Sequence, residues 1–108
     1  MKNTMITGSP IYEEREMEIT EVTISLMDDE KLKAFANIVL DDLFVVRGLK
    51  IIEHVGRYFI AMPSRKQKDG SFRDIAHPIT TEFRALVEKA VLDKYWEEVN
   101  QNLKSSST

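Results

Sequence analysis

The 108-residue sequence contains no cysteine. Disulfides, thiolate metal sites and cysteine nucleophiles are therefore excluded. Glycine and proline are also scarce, at four and three, so each one punctuates the chain where it stands. No apolar run approaches the roughly 18 residues that span a bilayer. The opening residues lack the basic, apolar and small-residue segments of a secretory leader, so a cytoplasmic protein with no membrane partner is expected. Catalytic signatures are missing as well. There is no P-loop, no GxGxxG, no GxSxG and no paired-histidine spacing. The two histidines, His54 and His77, stand far apart at expected strand ends, where a structural role is the simpler reading. Asp41 and Asp42 resemble a carboxylate pair, but neighbours on a strand point to opposite faces, so a turn suits them better. A non-enzyme is expected, with no catalytic residue, no cofactor and no metal.

With 43% hydrophobic and 31% charged residues, the composition is that of an ordinary globular domain, and the length allows only one core. The net charge of −3 argues against a polyanionic partner until its distribution is considered. Between Arg57 and Arg73 there are five cations (Arg57, Arg65, Lys66, Lys68 and Arg73) and one acid (Asp69). That strip carries +4, which leaves −7 on the rest of the chain. A basic strip on an acidic body suits a local anionic partner better than the bulk charge suggests.

Periodicity divides the chain. Residues 1–16 show no sustained pattern and are read as an extension; residues 17–103 form the domain, and 104–108 a tail. Alternation at Val22, Ile24 and Leu26 predicts a strand with one wet face. A turn at Asp28–Glu30 leads to a second strand with Leu32, Ala34, Ala36, Ile38 and Leu40 on one parity. Phe35 and Val39 interrupt its polar parity. Residues 44–53 are apolar on both parities apart from Arg47 and Lys50, which predicts a strand covered on both faces, with Gly48 marking a bulge or bend and Leu49–Glu53 the clearer half. A short strand from Arg57 to Met62 ends at Pro63, and the Lys68-Asp69-Gly70 loop predicts a hairpin returning through Phe72–His77. Pro78 stops that strand. Thr80 is a plausible cap for a helix running to about Asn100, with Glu82 in its first turn. The pattern predicts an α+β fold: an antiparallel sheet of about five strands with a C-terminal helix packed on it.

At 100° per residue the helix has two apolar stripes. Phe83, Leu86, Val87 and Ala90 suit the sheet, while Leu92, Trp96, Val99 and Leu103 lie on nearly the opposite face. The second stripe is expected to form a homodimer interface. A helix that bends around the core and buries both stripes is the alternative.

The basic loop places cations and an aromatic ring between two paired strands. Arginine forks match phosphate oxygens, lysines supply point charges, and Phe72 offers a face for a base. Composition alone leaves open a solvated tip that only keeps an edge soluble. The run Ala61-Met62-Pro63-Ser64-Arg65-Lys66, then Asp69-Gly70, then Arg73-Asp74-Ile75-Ala76-His77-Pro78-Ile79, resembles the signature of the SpoVG (stage V sporulation protein G) family of septation proteins. The likeness extends from Met17-Glu18-Ile19-Thr20 through Asp41-Asp42-Leu43-Phe44-Val45-Val46-Arg47-Gly48-Leu49-Lys50-Ile51 to about Asn100. Residues 1–16 depart from it. The resemblance implies a small mixed α/β fold that dimerises through strands, a role in sporulation or in forming the division septum, and binding of DNA and RNA. On this sequence it makes Arg65, Lys66 and Arg73 candidates for phosphate contact, with Arg84 near the helix start as a further one; Lys68 and Phe72 complete the expected site. A protein partner at the septum is the competing expectation.

Overall fold

In the computed structural model, which describes residues 17–106, six strands and one helix follow one another along the chain. They are β1 (Ile19–Leu26), β2 (Leu32–Leu40), β3 (Phe44–His54), β4 (Arg57–Ala61), β5 (Ser64–Lys66), β6 (Phe72–Asp74) and α1 (Thr81–Ser106). The first four form an antiparallel meander in the order β1-β2-β3-β4, and β5 and β6 pair with each other as a separate ribbon. The α+β fold is as expected from the sequence. The expected extension, residues 1–16, lies outside the described residues.

The expected single sheet of about five strands divides because Pro63 cannot donate to a ladder. Beyond it the chain begins a new strand, so β6 returns against Ser64–Lys66 and not against Arg57–Met62. The Ile75 N–H donates to the Pro63 carbonyl at 2.7 Å and closes the base of the ribbon.

The turns follow from local chemistry. Asp41 and Asp42 both have positive φ, 53° and 57°, and the Leu43 N–H donates to the Leu40 carbonyl at 2.8 Å. This is the two-residue turn whose twist matches antiparallel strands, and aspartate tolerates the left-handed conformation. Asp41 also accepts the Glu18 N–H at 2.9 Å, which ties the start of β1 to the turn. The pair is therefore structural. Val55 and Gly56 make a second such turn, with φ of 52° and 76°. Gly48 has φ +86° where the β2–β3 register shifts, and its N–H donates to the Asn37 side-chain oxygen at 3.2 Å. The expected bulge is present.

One face of the sheet holds the core. Ala34, Ala36 and Ile38 from β2, Leu49 and Ile51 from β3, Ile60 from β4 and Met62 after it are buried with Val87, Val91 and Tyr95 of α1. Alanines in β2 leave room for the helix to cross close to the sheet. Two expectations fail in detail. Phe44, Val45 and Lys50 are exposed, so β3 is not covered on both faces: α1 packs on one face of the sheet only. On α1, Val91 and Tyr95 continue the buried face, whereas Leu86, expected on it, is half exposed. Leu92 and Val99, expected on an opposite stripe, instead pack against the core.

The helix start is as the sequence predicts. The Thr80 hydroxyl accepts the Phe83 N–H at 3.1 Å, and Glu82 lies in the first turn. Such a cap contributes about 1 kcal/mol.

Candidate nucleic-acid interface

The β5–β6 ribbon gathers most of the basic strip. Its register pairs Ser64 with Asp74, Arg65 with Arg73 and Lys66 with Phe72. Because strand side chains alternate, Arg65 and Arg73 project from one face of the ribbon while Lys66 and Phe72 project from the other. Directly opposed residues have Cβ atoms about 5 Å apart. Two guanidinium groups thus begin from adjacent points on the same surface. Every one of these side chains is exposed, Phe72 by 69%.

The tip of the ribbon is locally built. The Gly70 N–H donates to the Gln67 carbonyl at 3.1 Å, and the Gln67 N–H donates to the Ser71 carbonyl at 2.7 Å. Gly70 has φ +92°, a conformation that glycine adopts without strain. The one acid in the strip is occupied within this turn. Asp69 accepts the Ser71 hydroxyl at 2.6 Å and the Ser71 N–H at 3.0 Å. Those hydrogen bonds, the hydroxyl's first, hold its carboxyl below the usual aspartate value. It is therefore an anion committed to the turn. Among the described residues, no carboxylate forms an ion pair with Arg65, Lys66, Lys68 or Arg73; the ion pairs lie at Lys33–Glu53 and along α1.

The structure brings Arg65, Lys66, Lys68, Phe72 and Arg73 together and sets Arg84 apart. Arg84 lies on α1 in an exposed pair with Glu88 at 3.9 Å, so its charge is partly answered by its own helix. Of the expected interface residues, Trp96 and Leu103 are exposed by 42% and 61%. Trp96 packs edge-on to Tyr58 and to Tyr95, with ring centroids 4.9 Å apart in each case. His54 ends β3, and His77 Nδ1 lies 2.9 Å from the Pro78 carbonyl oxygen. No group of three or more His, Asp or Glu residues could hold a metal among the described residues.

Sequence reasoning missed an apolar cleft of about 480 Å³ at the end of the sheet. Met17, Phe44, Val46, Ile79 and Phe83 are among the residues that line it. Its signal was the apolar run 43–46 together with Ile79, which is 89% exposed. No helix among the described residues is long and apolar enough to cross a membrane.

The same residues place the chain among known proteins. The SpoVG family model matches residues 17–97. A relative in Anaeromyxobacter sp. (strain Fw109-5) is 51% identical over 85 residues, covering 79% of this chain and 88% of its own length. One in Acetivibrio thermocellus is 54% identical over 80 residues, covering 73% of this chain and 85% of its own. One in Bdellovibrio bacteriovorus is 47% identical over 83 residues, covering 77% of each. All three carry the name "Putative septation protein SpoVG". Residues 1–16 lie outside the matched family region.

Proposed function

The chain belongs to the SpoVG family, and we propose that it is a nucleic-acid-binding regulatory protein, active in septum formation or sporulation, that grips phosphates with the β5–β6 ribbon. One observation carries the reading: Arg65 and Arg73 oppose each other on a projecting ribbon, with no carboxylate partner among the described residues. Like charges placed directly across a ladder are destabilising. A phosphate between the two forks turns that repulsion into two charge-assisted hydrogen bonds. A solubility device needs charges, but it does not need two arginines in register that no described carboxylate pairs, the neighbouring Asp74 included.

The protein works as a homodimer in the cytoplasm and uses no cofactor, metal or catalytic group. It regulates by occupying nucleic acid. A two-stranded ribbon has the dimensions to enter the major groove of a duplex, and its arginines equally suit the backbone of a single strand. Binding measured by fluorescence anisotropy over a range of salt is the test. Log affinity should fall linearly with log salt on both duplex and single-stranded probes. A protein that binds neither at low salt overturns the reading.

A second reading has its own support in the cleft lined by Met17, Phe44 and Ile79. An exposed apolar surface of this kind suits a protein partner at the septum. On that reading the ribbon only keeps the protein soluble.

A further inference from the structure

We propose that the helix-free face of the four-stranded sheet is a base-stacking platform for single-stranded nucleic acid, with Phe59 and Phe35 as its rings and Lys50 and Arg57 as its phosphate contacts. This rests on the nucleic-acid reading above and adds a second surface, distinct from the β5–β6 ribbon.

The face is fixed by parity. Ala34, Ala36, Leu49, Ile51 and Ile60 turn toward α1, so their strand neighbours Phe35, Lys50, Ile52 and Phe59 turn away from it. The register then places them side by side. Phe35 pairs with Lys50, Lys50 with Ala61, Ile52 with Phe59 and His54 with Arg57. Phe35 and Phe59 are thus two strands apart and two residues out of step, which separates their Cα atoms by about 12 Å. Lys50 stands beside the first ring. Arg57 is two residues along β4 from the second.

Three features favour nucleic acid over a packed protein face. Phe59 is 47% exposed on an edge strand, where a soluble protein gains nothing from a bare ring. No described helix or strand lies across the face. Lys50 and Arg57 are exposed and make no ion pair with any described residue, and the only acid among the described strand residues turned to this face is Glu21, on the far edge strand β1. Aromatic rings on an open sheet with cations at their margins offer what successive unpaired bases require: faces to stack on and charge for the backbone between them. A duplex keeps its bases stacked on one another and cannot use the rings. The surface therefore discriminates single strands from duplexes, which the ribbon's phosphate contacts do not.

The test compares Phe59→Leu and Phe59→Trp with the unaltered chain, using fluorescein-labelled U12 RNA, dT12 DNA and a 12-base-pair duplex. Leucine keeps the apolar area and loses the ring; tryptophan keeps a ring. F59L should bind U12 and dT12 about 5- to 100-fold more weakly, with an unchanged salt slope and unchanged duplex binding, while F59W binds them at least as tightly as the unaltered chain. Equal single-strand affinity of F59L and the unaltered chain overturns the platform and leaves the ribbon reading intact. If the unaltered protein binds no probe at all, the ribbon reading fails with it. A loss of dimer in F59L, seen by light scattering, would instead make this face a contact between copies and also overturn the platform.

Discussion

Arg65 on β5 and Arg73 on β6 stand directly across the ladder from each other. The ribbon that carries them is only three residues long on each side. Two short strands are marginal in water even without repulsion between their side chains. The turn at Gln67–Ser71 and the Ile75–Pro63 hydrogen bond hold the ribbon together. Stability is thus given up where an anion can restore it. That pattern is characteristic of a binding surface.

The β3–β4 turn holds a strained residue. Val55 occupies a left-handed position at φ 52° with its side chain 84% exposed, where a β-branched residue is strained and gains little from burial. Asn-Gly is the preferred sequence for this two-residue turn. Val55→Asn should therefore stabilise the fold by about 0.5–1 kcal/mol. Urea unfolding with an unchanged m-value would measure it, and a loss of stability would show that residue 55 is not held in a left-handed conformation.

Strand parity made much of this fold legible. The alternation of Ala34, Ala36 and Ile38 identified the core face of β2, and Thr80 with Glu82 marked the helix start, because burial and capping act over distances of a few residues. The break at Pro63 was visible as a missing donor, but its consequence, a second sheet, depends on where β6 finds a partner. The width of the buried helix face was not legible either. Leu92 and Val99 reach the core because α1 crosses a twisted sheet, and helical periodicity carries no information about that crossing. Within the candidate site, the cations of the ribbon could be read from charge clustering alone. Their pairing across the ladder could not, since the turn length sets it. Phe35 and Val39, out of place on a polar parity, were the sequence signs that the opposite face of the sheet is not simply wet.

Tyr95 supplies a pH dependence with a definite sign. Burial, with smaller contributions from Tyr58 and Glu53, raises its phenol above the ordinary value of 10.0. The folded state holds the proton more tightly than the unfolded chain does. Its contribution is fully present below about pH 10, the value of an unfolded tyrosine, and is lost as pH rises from there through the raised folded value. Thermal melts between pH 8 and pH 11 should show a falling alkaline limb that Tyr95→Phe makes shallower. Lys89 and Lys94 are also raised, by their hydrogen bonds to Asp93 and Glu97, and they add a limb of the same sign that Y95F leaves in place. Identical slopes in the two proteins would contradict the assignment.

Trp96 is the single tryptophan and lies on the part of α1 expected to meet a second copy. At micromolar concentration light scattering should give twice the mass of the chain. If Trp96 is in the interface, its emission should shift to longer wavelength on dilution as the indole becomes wetter. A monomer by scattering would remove the homodimer. A dimer whose emission is unaffected by dissociation would place the interface elsewhere, with the apolar cleft at Phe44 and Ile79 the next surface to examine.

Phosphate binding by the β5–β6 ribbon can be measured by replacing Arg65, Lys66 and Arg73 together with alanine. These side chains are exposed and form no ion pair with any described residue, so the triple variant should fold as well as the unaltered chain. Removing one phosphate-binding cation should lower the slope of log affinity against log salt by about 0.9 on duplex DNA and about 0.7 on single strands. Three such cations from each subunit of a dimer would lower it by up to roughly 5 on duplex. If the ribbon holds phosphates, the triple variant binds every sequence more weakly and with a flatter salt dependence. If it folds and binds with the original affinity and the original slope, the ribbon does not hold them.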